Sequence, residues 1–176
     1  MTVEDAHAPE ETVWSGKWIE AKRRGRWEYV TRARGIKAAV IVALGEGDVL
    51  LVEQFRVPLG RVCLELPAGL IGDDQEGEDP LLAAQRELEE ETGYAAAEWD
   101  DLGEYFSSPG MLGESFTLLR ARGLTQVSKG GGVPGENISV HRVPLAEIAQ
   151  FIAERRGLGI AVDSKLLMLL GGGILS

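Results

Sequence analysis

Three glutamates, Glu87, Glu90 and Glu91, stand three and four positions apart in the segment 80–92. On an α-helix this spacing places all three carboxylates on one side. Like charges at these distances repel one another, and burial near a core would raise their pKa values unless a cation keeps them ionised. Carboxylate oxygens select hard divalent cations, so the cluster predicts a site for Mg²⁺, with Mn²⁺ possible. The alternative interpretation is a solvated acidic face.

The glutamates lie in a segment with clear helix signals. Asp79 can cap a helix, Pro80 suits the first helical position, and Gly93 is a natural stop, which predicts a helix from about Pro80 to Thr92. Its apolar residues recur at helical spacing and should face a core: Leu81, Ala84 and Leu88. Arg86 lies four residues before Glu90 and is placed to pair with it.

Strand patterns dominate the rest of the chain. Lys37–Leu44 and Val49–Arg56 flank Gly45-Glu46-Gly47-Asp48, which predicts a hairpin. Two further helices are expected, from Pro144 to about Arg156 and over Asp163–Leu170. The other expected strands are Val13–Ala21, Arg26–Ala33, Val62–Leu66, Trp99–Phe106, Ser115–Arg122 and Ile138–Val143. Strands with segregated helices predict an α+β fold with a mixed sheet.

Charge and composition narrow the function classes. The net charge of −10 over 176 residues argues against a protein that coats nucleic acid. The 19 residues from Asp73 to Glu91 hold nine acids and one base, so they carry −8 of that charge. A single cysteine, Cys63, and two histidines, His7 and His141, argue against zinc cages and histidine-rich metal sites. No signal peptide or membrane-length apolar run is apparent, so a cytoplasmic location is expected.

The spacing of the helix residues resembles the Nudix box. Nine constrained positions over 23 residues match that pattern, with Leu88 and Tyr94 in its hydrophobic positions. The matching residues are Gly72, Glu78, Arg86-Glu87-Leu88, Glu90-Glu91 and Gly93-Tyr94.

The resemblance implies a fold, a reaction and a set of metal ligands. A Nudix hydrolase is an α/β/α sandwich around a mixed sheet and uses Mg²⁺ or Mn²⁺ to split a nucleoside diphosphate linked to another moiety. Carried over by position, the metal ligands are Glu87, Glu90, Glu91 and the carbonyl of Ala68. Gly72, Glu78, Arg86 and Gly93 then have structural roles, with Glu78 and Arg86 bracing the loop and helix.

Three segments resemble the ADP-ribose pyrophosphatase subfamily. Pro109 follows Tyr94 by 15 residues, as in that subfamily, although Pro-Gly also makes ordinary turns. Glu114 lies where the subfamily keeps an acid near the terminal ribose. Arg56 is a candidate clamp for the diphosphate, with a surface ion pair as the alternative. Glu65 either supports the site or is an outward strand position.

The N-terminal strands are expected to build a dimer. In the resembled subfamily such strands line the partner's adenosine pocket, which makes Trp27 and Glu28 candidate adenine contacts, with plain packing as the alternative for Trp27. The region from Lys17 to Arg34 holds seven bases against two acids, which suits a small polyanion. We therefore divide the chain into an N-terminal tail and β-extension, 1–36, and a Nudix catalytic domain, 37–176.

The general base is expected among the glutamates. In similar pyrophosphatases a glutamate just before the strand equivalent to Ile138–Val143 activates water, which indicates Glu136 after the glycine-rich loop 128–135. Members of the family differ in this residue, so Glu90 is a second candidate. The alternative is a flexible surface loop.

The function that the resemblance implies is hydrolysis of ADP-ribose to AMP and ribose 5-phosphate by a homodimer. A rival is another sugar nucleotide, such as GDP-mannose or ADP-glucose, on the same scaffold. A rival of a different class is a non-catalytic Nudix module that only binds nucleotides. Such a module would be expected to have lost one of the helix acids, and this chain keeps them all. A purely structural acidic protein would need no fixed spacing.

Overall fold

The computed structural model describes residues 3–72 and 78–174, and only the backbone of 172–174. Asp73, Asp74 and Glu76 of the acidic segment lie outside the described residues. Along the chain the elements are β1 (Glu10–Ser15), β2 (Ile19–Arg24), β3 (Trp27–Arg32), β4 (Lys37–Ala43), β5 (Asp48–Arg56), β6 (Arg61–Glu65), β7 (Ala68–Ile71), α1 (Pro80–Thr92), β8 (Tyr94–Phe106), β9 (Ser115–Gln126), β10 (Ser139–Pro144), α2 (Ile148–Gly157), β11 (Ala161–Val162) and α3 (Leu167–Ile174).

Two four-stranded mixed sheets form the centre of the molecule. One has the order β7-β4-β9-β8 and contains the parallel pair β4–β9, and the other has the order β10-β5-β6-β11 and contains the parallel pair β6–β11. Helix α1 packs on β4, β7 and β8, whereas α2 packs near β10, β11 and α3. The layers are therefore helix, two sheets and helix, and the predicted α+β class is confirmed.

Alternating side chains of β4 divide the core in two. Val40 and Val42 pack with Leu51 and Leu64 between the two sheets, in a cluster that continues to α2. The intervening residues of β4 point the other way, where Ile41 packs with the residues of α1. This period of two is what a strand buried on both faces requires.

Helix α1 has the predicted bounds. The Asp79 side chain accepts a hydrogen bond from the Leu81 N–H at 2.8 Å, and Gly93 ends the helix with a φ of +79°. Ala84 and Leu88 are fully buried, as the apolar spacing predicted, with Ala83 beside them. One face of α1 is thus fixed against the sheet, and this sets the direction of its glutamates.

Two strand predictions are wrong. The segment Val13–Ala21 is broken by a turn, in which the Gly16 N–H donates to the Ile19 carbonyl, so β1 and β2 are separate strands. The strands before and after Gly45–Asp48 make only an isolated bridge, Leu44 to Val49, because each joins a different sheet. The sequence analysis did not predict β7 and β11, which are four and two residues long.

The first three strands form a sheet of their own, with the order β1-β2-β3. It is attached to the rest through β3, where the Val30 N–H donates to the Met111 carbonyl and the Gly113 N–H donates to the Val30 carbonyl. Among the described residues, no helix combines the length and apolarity that crossing a membrane requires.

Candidate functional site

Glu87 and Glu91 of α1 face the start of strand β7. The buried Glu91 carboxylate accepts a hydrogen bond from the Ala68 N–H at 3.1 Å, and Gln54 donates to its other oxygen at 3.5 Å. One turn earlier, Glu87 lies directly against the backbone of Gly69, since a Cβ built on that glycine would be 2.0 Å from the Glu87 Cδ. Two carboxylates and the Ala68 backbone thus meet at one place.

The Glu91 carboxyl is held in an environment that disfavours its charge. Burial raises its pKa to about 8, and the negative charges of Glu87 and Glu136 act in the same direction. The Ala68 N–H and the Arg56 charge oppose this shift without overcoming it. A carboxyl in this state gains most from a cation that replaces its proton.

Arg86 supplies positive charge to this cluster in the described structure. Its guanidinium lies 2.9 Å from Glu87, 3.3 Å from Glu90 and 3.9 Å from Glu78. Glu78 in turn accepts a hydrogen bond from the Gly72 N–H at 3.2 Å. Glu78 therefore connects Gly72, directly after β7, to Arg86 on the helix.

The donors fit a hard divalent cation in type, because carboxylate oxygens and a backbone carbonyl are the ligands that Mg²⁺ and Mn²⁺ take. The buried Glu91 carboxyl, which lacks a direct ion pair in the described parts of the chain, supports this fit. The carboxylates do not yet point to one common position. Within residues 3–72 and 78–174, no three histidine, cysteine or acidic side chains form a group with metal-ligand geometry.

A cavity of about 180 Å³ opens beside Ala68 and Gly69. Arg56 lies on its wall, and its Nε and Nη2 groups donate to the two carboxylate oxygens of Glu65 at 2.7 and 2.8 Å. Glu65 is 5% exposed, so it is an inward residue that supports Arg56, and the outward-strand alternative is excluded. Arg56 does make an ion pair, but with a buried partner and on the wall of the cavity.

Glu114 lies on the wall of the same cavity, where Arg32 donates to it at 2.6 Å. Pro109 does not reach this wall; it is exposed in the turn after Ser107, which does line the cavity. Pro109 thus belongs to the loop whose residues Ser107 and Glu114 line the cavity, but does not line it itself.

Trp27 and Glu28 lie apart from this cavity, on β3. Glu28 lines an apolar cavity of about 320 Å³ together with Tyr29, Val30 and Met111, whereas Trp27 is half exposed.

The positive charge of the region from Lys17 to Arg34 is largely neutralised, because four of its seven bases pair with acids near the N-terminus. These bases are Lys22, Arg23, Arg24 and Arg26, and their partners are Glu4, Asp5, Glu10 and Glu11.

The loop that carries Glu136 is attached to the end of α1. The Gly131 N–H donates to the Glu91 carbonyl and the Gly132 N–H to the Glu90 carbonyl, each at 2.9 Å. The Glu136 carboxylate itself accepts from the Val133 N–H at 2.9 Å. The structure brings Glu136 into the electrostatic range of Glu91 without a direct hydrogen bond to the helix glutamates.

Residues 33–159 match the model of the NUDIX domain. The chain belongs to the Nudix family. It is 38% identical over 119 residues to "Methanol dehydrogenase activator" of Bacillus methanolicus, which covers 67% of this chain and 63% of that protein. It is 34% identical over 118 residues to "ADP-ribose pyrophosphatase" of Bacillus subtilis (strain 168), which covers 66% of this chain and 62% of that protein. The chain thus spans about three fifths of the length of these relatives.

A solved structure titled "Crystal structure of ADP compounds hydrolase" has the same fold as this Nudix chain. Its TM-score is 0.69 at 22% identity, over 94% of this chain and 91% of that one. The predicted Nudix fold is confirmed. Residues 160–176 lie beyond the part of the chain that the family model matches.

The Nudix box glycines have backbone roles in this structure. Gly72 and Gly93 adopt φ values of +82° and +79°, which favour glycine. Sequence reasoning left the role of Glu65 open and missed Gln54, Arg32 and Lys165 around the site. The alternation of side chains along β6 could have predicted that Glu65 is buried. No local sequence pattern marks Gln54, Arg32 or Lys165.

Proposed function

We propose that this Nudix chain hydrolyses the diphosphate of ADP-ribose to AMP and ribose 5-phosphate. The observation that carries the proposal is the meeting of Glu87 and Glu91 with a cavity whose wall holds Arg56, at Ala68 and Gly69. The carboxylates for a divalent cation contact the backbone of Ala68 and Gly69, which lines the cavity, and the guanidinium for phosphate lies on the cavity wall. The similarity to the relative named ADP-ribose pyrophosphatase supports the choice of substrate.

In this proposal Glu87, Glu90, Glu91 and the Ala68 carbonyl hold Mg²⁺ or Mn²⁺. A divalent cation held there would neutralise charge on the diphosphate, lower the pKa of water and stabilise the leaving phosphate. Arg56 donates to a phosphate oxygen with the N–H groups that Glu65 leaves free, and the two Glu65 contacts fix the plane of its guanidinium. Arg86 keeps Glu87 and Glu90 in position.

The proton balance of the reaction assigns a role to a further carboxylate. Water forms a bond to one phosphorus, the bridging P–O bond breaks, and the proton of the water passes to a glutamate. We assign that step to Glu136, with Glu90 as the second candidate. The attachment of its loop to the last turn of α1 supports Glu136, because closure of this loop would bring the carboxylate toward the site.

The adenosine is assigned to the N-terminal sheet of a homodimer. Trp27 would stack on the adenine ring and Glu28 would accept its amino proton. Exposed apolar side chains on β1–β3, among them Trp14 and Trp27, support pairing of residues 1–36 with a second copy. The apolar cavity beside Glu28 is in keeping with a ring-binding pocket.

A substrate panel read by product identity tests the proposed function. ADP-ribose, ADP-glucose and GDP-mannose are incubated with Mg²⁺ or Mn²⁺, and the products are separated by chromatography. We expect release of AMP and ribose 5-phosphate from ADP-ribose and loss of this activity with a chelator. Preference for GDP-mannose would replace the substrate and keep the reaction. The absence of turnover with every sugar nucleotide would refute the proposed hydrolase activity.

The role of Glu136 is tested separately with the variant Glu136→Gln. A lower kcat with unchanged affinity for the metal would support it as the base. Unchanged turnover would transfer the role to Glu90.

A further inference from the structure

Lys165 brings a third cation to the cavity that Arg32 and Arg56 line. It precedes α3 in the 3₁₀ turn Ser164–Leu166, beyond the residues that the family model matches. Its ammonium lies 5.8 Å from the centre of the Phe116 ring, on the apolar wall of the cavity. No motif in the sequence marks this lysine.

Asp163 fixes Lys165 at two points. One oxygen of its carboxylate accepts the Lys165 backbone N–H at 2.7 Å, and the other accepts the Lys165 Nζ at 2.6 Å. The Asp163 N–H donates to the Leu64 carbonyl, next to the residue that holds Arg56, and Leu166 is fully buried. The turn is therefore anchored to β6, and the ammonium has little freedom to leave the cavity.

Hydrogen-bond capacity remains at this ammonium. Lys165 has three N–H donors and uses one on Asp163, and no second acceptor contacts it within the described parts of the chain. The side chain is 21% exposed, so water does not satisfy it as fully as on an open surface. An ion pair that served stability alone would gain nothing from placing these donors at a cavity with two guanidinium groups.

We propose that Lys165 binds a phosphate oxygen of the diphosphate substrate. This proposal rests on the proposed function, because the cavity then receives the diphosphate between the carboxylates of α1 and the cations of its wall. Lys165 and Arg56 come from distant parts of the sequence, one from the turn after β11 and one from β5, and line the same cavity. A compact ammonium and a planar guanidinium together suit the tetrahedral phosphates of one ligand.

The test measures ligand binding by calorimetry in Lys165→Met. The ligands are a methylene analogue of ADP-ribose that cannot be hydrolysed, ADP, and adenosine. We expect affinity for both diphosphates to fall about tenfold to a hundredfold, as for loss of a hydrogen bond to a charged group, while adenosine binding stays unchanged. Lys165→Arg should restore part of the affinity because it keeps the charge.

Lys37→Met is the matched control, because Lys37 is an exposed lysine outside the cavity. It should bind all three ligands as the unmodified protein does. Asp163→Asn keeps an oxygen for the backbone N–H but loosens the ammonium, and a smaller loss of diphosphate affinity is expected. If Lys165→Met does not fold, the diphosphate affinities of Asp163→Asn and Lys165→Arg test the proposal instead.

Two results would overturn the proposal. Unchanged diphosphate affinity in Lys165→Met would mean an ion pair of structural importance only, and a loss confined to the ADP-ribose analogue would place the contact at the sugar. Failure of the proposed function is distinguishable, because it would appear as unmodified protein that binds these ligands without hydrolysing ADP-ribose, or that binds none of them.

Discussion

Glu91 lies between α1 and β7 with almost no exposure to solvent, and its neighbours supply more negative than positive charge. Such a carboxyl is useful for holding a cation and is otherwise a source of instability. Glu89, two residues earlier on the same helix, is exposed. Replacement of Glu91 should therefore affect the site, whereas replacement of Glu89 on the same helix should not.

We expect Glu91→Gln to lose most of the proposed activity, by about a hundredfold or more, because it removes a proposed ligand of a cation that would contribute several kcal/mol to the transition state. The glutamine has the same shape and can still accept from the Ala68 N–H, so the protein should stay folded. Turnover and thermal unfolding with and without Mn²⁺ measure both effects. Glu89→Gln is the control, and near-normal turnover in Glu91→Gln would contradict the metal assignment.

Cys63 should be inert in the folded protein. It is 4% exposed, and burial raises the pKa of its thiol to about 12, so very little reactive thiolate exists at pH 8. We expect no labelling by a thiol-reactive disulfide over minutes at pH 8, and one equivalent after unfolding in guanidinium. Rapid labelling of the native protein would show that β6 opens locally.

At the residue scale, the sequence located the acids but not the contacts that orient them. The spacing of Glu87, Glu90 and Glu91 is a property of one helix and could be recognised locally. The pairing of Arg56 with Glu65 depends on the register of β5 and β6, in which Arg56 faces Arg61. A contact that depends on strand register has no signature in either residue type.

The loop that follows β9 closes over the end of α1 because its backbone can approach very closely. Gly130 has a φ of +62°, and a Cβ there would lie 2.3 Å from the backbone carbon of Thr92. Gly135, in the same loop, has a φ of +107° but nothing within 4 Å of its missing Cβ. Gly130 therefore has both a close contact and a positive φ, whereas Gly135 has a positive φ alone.

We expect Gly130→Ala to destabilise the protein by about 1–3 kcal/mol, which corresponds to roughly 3–10 °C in Tm, because the added methyl group displaces the loop from α1. If Glu136 is the base, kcat should fall as well. Gly135→Ala is the control, and its smaller loss should reflect φ alone. Equal losses of Tm in the two variants would contradict the packing argument.

Element prediction succeeded where the signal was local. Helix α1 was predicted with both bounds, since Asp79, Pro80 and Gly93 act within one turn of its ends. The hairpin across Gly45–Asp48 was wrong, because β4 finds a parallel partner in β9 and β5 finds an antiparallel partner in β6. Pairing between distant strands cannot be read from the turn between neighbours.

At the scale of the whole molecule, three tryptophans in and beside the sheet β1–β3 are exposed within the described part of the chain. Trp14, Trp18 and Trp27 are each 41–56% exposed. A three-stranded sheet with one covered edge gains stability by docking on a further surface. In the proposed homodimer, each adenosine pocket combines this sheet with the catalytic cavity of the partner.

Mixing two impaired variants tests this shared site. Trp27→Ala should weaken substrate binding and Glu91→Gln should abolish turnover, but a mixed dimer regains one site with both residues intact. After exchange of subunits we expect about a quarter of the activity of the unmodified protein, since half of the dimers are mixed and each has one complete site. Sedimentation should show dimers; monomers, or no regain of activity, would refute the shared pocket.

The pairing of β11 with β6 has a consequence for synthesis of the chain. Ala161 pairs with Cys63, and the turn that follows carries Lys165 to the cavity. Every other element that lines this cavity has left the ribosome earlier, and domains fold from the N-terminus as they emerge. A nascent chain can therefore pair the strands up to β10 and form the acidic helix while the cavity still lacks the wall that Lys165 supplies. Translation itself sets the moment at which the site is complete.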